Sequence, residues 1–178
     1  MKNLVIAILF VALPFVGVAQ NNFDKFEERK GVASMVMNQR MFKLLSKVDL
    51  NSSDPEIKEY INLVNNLENI KMFTTVDQAI ASEMSTTMDT YLKGSKLEEL
   101  LRAKDDDKNV KFYYKPGKND DYVSEFVMFL RAEMDGEDRT VFFQVTGEID
   151  LKQISKLAQE FDFKGSDVLK DVEKAKKG

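Results

Sequence analysis

The sequence predicts an α+β fold: an antiparallel three-stranded meander extended by one or two earlier strands, with helices packed mainly on one face. Residues 109–150 hold three apolar runs, rich in β-branched and aromatic residues, that two short polar turns separate. Two shorter apolar runs precede this stretch, and the segments around them repeat apolar residues at helical spacing. Either earlier strand could pair in parallel through its long connection, so the strand order stays open.

The meander is predicted from period-2 alternation and from the chemistry of its turns. In the first run Val110, Phe112 and Tyr114 alternate with lysine and tyrosine. The turns are built on Pro116-Gly117 and Asp135-Gly136, where proline presets φ and glycine supplies positive φ. The second run is apolar on both sides, through Phe126, Val127, Met128, Phe129 and Leu130. It is therefore expected to be a central strand, covered on both faces.

The chain before the meander begins with a polar lead-in, residues 21–30, whose Phe23 and Phe26 are expected to dock on the core as a helical turn. Val32 to Met37 has the composition of a first strand. Asn38 is a suitable N-cap for a helix that reaches Val48. Its apolar stripe consists of Met41, Leu44, Leu45 and Val48.

Three further helices and one strand are predicted before residue 109. Asp54-Pro55 caps and opens a helix to about Leu67, and residues 69–74 form a second strand. Thr75 and Gln78 fit a capping box for the longest helix, which ends near Gly94. The buried stripe of that helix is Ile80, Met84, Met88 and Tyr91 or Leu92. A second capping box, Ser95 with Glu98, predicts a short helix with Leu97, Leu100 and Leu101 inward.

Two helices are predicted after the meander. Asp150 caps the first, which carries apolar residues to Phe161, and Ser166–Lys177 forms the second.

The first nineteen residues have the pattern of a secretory signal peptide. Lys2 supplies the positive charge, residues 4–16 are almost wholly apolar, and Gly17-Val18-Ala19 supplies small residues for cleavage. The apolar run from Leu4 to Ala19 is shorter than the roughly 20 residues that span a bilayer. We therefore expect a signal peptide over 1–19, a single domain over 20–178, and an exported mature chain without a membrane span.

Composition excludes several kinds of chemistry. The chain has no cysteine and no histidine, which removes thiol nucleophiles, disulfides, the Ser-His-Asp triad and histidine-ligated metals. Its net charge of −4, without a basic block, gives no electrostatic footprint for nucleic acid. We expect no enzyme activity, no cofactor and no metal.

Acidic residues are the main candidates for catalysis or metal binding, since the chain has no Ser-x-x-Lys motif for a Ser-Lys hydrolase. Three clusters, Asp105–Asp107, Asp120-Asp121 and Asp135–Asp138, lack the ligand spacing of a calcium loop and are expected to be solvated turns. Glu125, Glu133 and Glu148 lie on or beside the meander and could form a carboxylate pair for glycoside hydrolysis. Nothing in the sequence marks one pair of them. We therefore assign no site residue.

Three stretches, taken in order, resemble the domain-of-unknown-function 4252 family. They are FDKFEERKGVASMVMNQRMFKLL, IKMFTT and VSEFVMFLRAEMDGEDRTVFFQVTGEIDLKQISKLA. The resemblance implies a small exported protein of Gram-negative bacteria and brings no activity or functional residue with it. Many relatives look like lipoproteins with a cysteine after the signal, which this chain lacks.

These observations favour an exported, non-enzymatic envelope protein, periplasmic or secreted, that binds a protein or a small apolar ligand. An exposed apolar patch or an open sheet edge would support this hypothesis. The alternatives are a self-associating structural module and a carboxylate-dependent hydrolase.

Overall fold

The computed structural model describes residues 23–48, 55–106, 108–119 and 121–150. Nine helices and strands of this part follow a short 3-10 helix, Asp24–Phe26. The helices are α1 (Gln39–Val48), α2 (Pro55–Asn66) and α3 (Gln78–Gly94). The strands are β1 (Ala33–Asn38), β2 (Leu67–Thr75), β3 (Glu98–Lys104), β4 (Lys108–Pro116), β5 (Tyr122–Met134) and β6 (Glu137–Asp150). The α+β class is confirmed.

All six strands belong to one sheet, in the order β1-β2-β6-β5-β4-β3. Every neighbouring pair is antiparallel, so the parallel crossover allowed by the sequence does not occur in this sheet. Within the described residues, β1 and β3 are the two edges. The last strand among the described residues, β6, lies near the middle and joins β1 and β2 to β3, β4 and β5.

One face of the sheet is covered by α3 and the 3-10 helix. Phe142 of β6 is fully buried there, with its ring centroid 3.6 Å from that of Phe23 and 6.0 Å from that of Phe73. The predicted stripe of α3 packs on the same face through Ile80, Met84, Met88 and Tyr91, all of which are buried. The docking of Phe23 and Phe26 on the core is confirmed.

The opposite face carries a second core beneath α1 and α2. Phe42 of α1 and Leu63 and Val64 of α2 are buried against side chains of β2, β4, β5 and β6. The expectation that helices pack mainly on one face is therefore wrong. Residues 125–130 of β5 alternate between the two cores and are all buried, as predicted for a central strand.

The segment after α3 is a strand, whereas the sequence predicted a helix. Glu98–Lys104 is the edge strand β3, not a helix that begins at Ser95. Its residues tolerate both conformations, and the ladder with β4 supplies main-chain hydrogen bonds that a two-turn helix would have to form alone. The sheet therefore has four strands in consecutive chain order, where a three-stranded meander was predicted.

Two smaller predictions fail at helix ends and faces. The cap of α3 is Asp77, which accepts hydrogen bonds from the main-chain N–H groups of Ala79 and Ile80, whereas Thr75 donates to the Gly31 carbonyl. In α1 the buried anchor is Phe42, and two members of the predicted stripe, Met41 and Leu44, are 45% and 60% exposed. The Asn38 cap is confirmed, since its side-chain oxygen accepts from the main chain of Arg40 and Met41. The signal peptide and both C-terminal helices lie outside the described residues.

Candidate functional site

The edge strand β1 combines an uncharged sequence with exposed apolar neighbours. Its six residues, ASMVMN, contain neither charge nor proline. Val36 is 43% exposed, and Met35 and Met37 are half-buried. Just after the strand, α1 adds the exposed Met41 and Leu44. Within the described residues, no strand pairs with the outer side of β1.

The other edge differs in a way that discourages pairing. β3 carries Glu98, Glu99, Arg102 and Lys104 within seven residues, and charged edge residues oppose edge-to-edge association. Its one strongly exposed apolar side chain is Leu100, at 41%. Of the two edges of the described sheet, β1 therefore lacks the charges that oppose strand pairing.

An ion cluster borders β1 on the α3 face. Lys71 of β2 lies directly opposite Val36, and its ammonium binds the carboxylates of Asp24 and, at 3.0 Å, Glu27. Burial would lower the pKa of Lys71, but these two hydrogen-bonded carboxylates outweigh it and raise that pKa above its ordinary value. Ser34 of β1 donates to the main-chain carbonyl of Glu27. With two carboxylates and one ammonium, the cluster is net negative beside the edge.

The three glutamates considered for hydrolysis are placed in different surroundings. Glu125 is buried on β5, Glu133 is exposed eight residues further along the same strand, and Glu148 pairs with Lys118. At about 3.3 Å per residue, Glu125 and Glu133 are roughly 26 Å apart along β5. Glu133 borders a recess that the other two do not reach.

Glu125 belongs to a buried polar trio that no sequence pattern reveals. The Tyr91 hydroxyl donates to its carboxyl oxygen, and the Gln144 side-chain amide donates to that oxygen at 2.8 Å and to the Tyr91 oxygen at 3.0 Å. All three side chains are less than 9% exposed. Burial, followed by the bond to Glu125, raises the pKa of Tyr91 far above its ordinary value of 10.0. The trio connects α3, β5 and β6. Because its three side chains are buried, they suit a structural role better than contact with a ligand.

Two of the three acidic clusters, Asp105–Asp107 and Asp135–Asp138, contribute side chains to one recess of about 270 Å³, and Asp121 does not line it. The acids at its lining are Asp105, Asp106, Glu133 and Asp138, and the bases are Lys104, Lys108, Arg131 and Arg139. The charges balance. Within the described residues, no three acidic side chains are grouped so that they could hold a metal ion.

The sequence of this chain matches the model of a known protein family. The family model described as "Domain of unknown function (DUF4252)" matches residues 26–157, about three quarters of the chain. The chain belongs to the DUF4252 family. In this DUF4252 member the match includes all six strands and the β1 edge. Neither the curated proteins nor the solved structures contain a significant match to the chain. No helix among the described residues is both long and apolar enough to cross a membrane.

Proposed function

We propose that this protein is an exported, non-enzymatic binding module of the bacterial envelope that takes up an extended segment of a partner protein as a seventh strand beside β1. The observation that carries the proposal is the contrast between the two edges of the described sheet: β1 has no charge, whereas β3 has four. Strand addition would satisfy the outward main-chain groups of β1, and exposed apolar side chains beside it would supply side-chain contacts.

The chemistry on either side of β1 specifies the partner segment. On the α1 face it would meet Met35 and Met37, which favour apolar side chains. On the α3 face it would meet Val36 and the net negative cluster around Lys71, where Asp24 is 58% exposed. The expected partner is therefore an extended segment that alternates apolar residues with polar or basic ones.

The experiment compares matched charge substitutions on the two edges. Val36→Lys places a cation on β1, and Leu100→Lys places one on β3, at side chains that are 43% and 41% exposed. Because both sites are already accessible, each substitution should change the free energy of unfolding by less than about 0.5 kcal/mol. Tagged full chains are crosslinked in intact envelope, and the captured protein is identified by mass spectrometry.

We expect a dominant captured protein with the unmodified chain and with Leu100→Lys, and its loss with Val36→Lys. The crosslinks should map to residues 33–38 and to an alternating segment of the partner. Equal capture by both variants, with both folded, would refute strand addition at β1. If light scattering instead finds a dimer that only Val36→Lys dissociates, the edge serves a second copy and the self-associating alternative replaces the proposal.

The export part of the proposal rests on residues 1–19 and is tested separately. The intact mass of the chain recovered from the envelope should correspond to a mature protein that begins at Gln20. A mass that retains Met1, or recovery from the cytoplasm alone, would contradict it.

A further inference from the structure

A second surface, which differs from the β1 edge because it is charged, is a cleft between α3 and the β4–β5 pair. We call it the α3 cleft. Its volume is about 160 Å³. Its floor is formed by the buried side chains of Met88, Tyr113 and Phe129. Lys111 and Arg131 line the cleft from the sheet, and Asp89 lines it from α3.

The two cations of the α3 cleft have no acidic partner among the described residues. Seven salt bridges link other charged side chains of this part of the chain, and none of them includes Lys111 or Arg131. Neither side chain forms a hydrogen bond with another described residue. Asp89 supplies one negative charge, so the side chains that line the cleft carry a net positive charge, although Arg131 also lines the charge-balanced recess next to it.

The strand register places like charges together here. Lys111 lies directly opposite Arg102 of β3, and like charges at directly opposed positions destabilise a sheet. On its other side Lys111 is opposite Phe129, and Arg131 is two residues further along β5, which makes Lys111 and Arg131 diagonal neighbours. Arg102 is paired with Glu99 at 2.6 Å, but the other two cations are not neutralised by any described carboxylate. An anion placed between them would relieve this repulsion.

The shape and charge of the α3 cleft define a ligand class. Pockets for drug-sized ligands are about 300–1,000 Å³, so this cleft suits a smaller molecule or the end of a larger one. An apolar floor suits an aromatic or branched apolar group, and two cations suit a carboxylate. Two positive charges opposed by Asp89 match a monoanion better than a phosphate dianion.

We infer that the α3 cleft binds a small organic carboxylate, with its apolar group on Met88 and Phe129 and its carboxylate between Lys111 and Arg131. The same chemistry is present in a free metabolite and at the C-terminus of a peptide. The site is independent of β1 and of any partner strand.

Methyl NMR of the full chain tests this inference, with phenylacetate as the probe. The Met88 methyl signal should shift and saturate, while Met128, which is buried on the opposite face, should not move. The neutral analogue phenylacetamide should bind at least about tenfold more weakly, because its uncharged amide forms weaker hydrogen bonds with the two cations than a carboxylate does. Inorganic phosphate should shift Met88 less than phenylacetate does.

Charge-neutral variants separate binding from folding. Lys111→Gln and Arg131→Gln should each weaken phenylacetate binding about tenfold without altering the remaining spectrum. Lys115→Gln removes an exposed lysine from the same strand, outside the cleft, and should leave the affinity unchanged.

The inference is overturned if phenylacetate gives no saturable shift at Met88, or if phenylacetamide or phosphate binds as tightly as phenylacetate. It is also overturned if Lys111→Gln leaves the affinity for phenylacetate as unchanged as Lys115→Gln does. Acetyl-alanyl-phenylalanine, with a free or an amidated C-terminus, distinguishes the two sources. Tighter binding of its free acid than of phenylacetate would assign the site to a peptide C-terminus. Tighter binding of phenylacetate would assign it to a free carboxylate. Both results support the site.

Discussion

Removal of the Tyr91 hydroxyl is the most direct test of the buried trio. Tyr91→Phe deletes the bond donated to Glu125 and the bond accepted from Gln144 at 3.0 Å, while the ring stays in place. A hydrogen bond to a charged group contributes about 1.5–3 kcal/mol and a neutral one about 0.5–1.5 kcal/mol. Together these ranges give about 2–4.5 kcal/mol, and because Gln144 retains its 2.8 Å bond to Glu125 we expect a loss in the lower part of that range, about 2–3 kcal/mol in the free energy of unfolding.

The assay is urea unfolding followed by circular dichroism, with a thermal scan as a second readout. The midpoint should fall without a change in the slope m. For a chain of this length the same loss lowers Tm by about 4–12 °C.

A half-buried tyrosine whose hydroxyl forms an exposed hydrogen bond provides the control. Tyr114 also donates its hydroxyl to a carboxylate, Glu98, at 2.8 Å, but on the exposed surface. Tyr114→Phe should therefore change the free energy of unfolding by less than about 0.5–1 kcal/mol. If both substitutions cost the same, burial does not strengthen the trio and the reasoning is wrong.

Three other predictions concern pH, backbone and packing. Because the pKa of Tyr91 is raised in the folded state, its contribution to stability is complete below the unfolded pKa of about 10 and is lost as pH rises above it, by about 1.4 kcal/mol per unit. Urea titrations at pH 9–11 should show a less steep decline in Tyr91→Phe, and parallel declines would contradict the raised pKa. Gly147→Ala should lower the free energy of unfolding by about 3 kcal/mol or more. The reason is that φ of Gly147 is +141° and an added Cβ would lie 2.3 Å from the main-chain oxygen at the end of α2. Its control, Gly94→Ala, meets nothing within 4 Å and should be neutral or slightly stabilising; if the same urea assay finds Gly147→Ala equally well tolerated, the backbone around Gly147 can relax and the expected clash is wrong. Phe23→Ala should cost about 3–5 kcal/mol, since its fully buried ring stacks on β6, whereas the exposed Lys25→Ala should cost little. Similar thermal midpoints for these last two variants would mean that the N-terminal lead-in is not part of the core.

The sequence allowed the periodic elements to be predicted, because their signals are local. The stripe of α3 and the two-sided apolar run of β5 repeat at fixed spacing, and both are buried as expected. Glu98–Lys104 could not be assigned in this way, because its conformation depends on pairing with β4 rather than on its own preferences. Its capping-box pattern was misleading for the same reason.

The candidate site was only partly visible in the sequence. The uncharged composition of β1 can be read directly, but its position at an edge depends on β6, about 100 residues later, taking the place next to β2. The α3 cleft likewise combines Lys111 and Arg131 from two strands with a helix that precedes both. Neither cation has a sequence pattern that distinguishes it from the other surface lysines and arginines.

The central position of β6 also has a consequence for synthesis. Ribosomes make the N-terminal part first, so β1 and β2 exist long before β6 can pair with the inner side of β2. During that interval Ile70 and Phe73, which are fully buried in the finished sheet, can pair with β1 on one side but have no strand on the side that β6 will occupy. A nascent chain that stalls before residue 137 therefore leaves the β6-facing sides of β2 and β5 unpaired. Such fragments should be clients of holding chaperones and prone to aggregate, whereas β3 to β6 can pair through short connections as soon as they emerge.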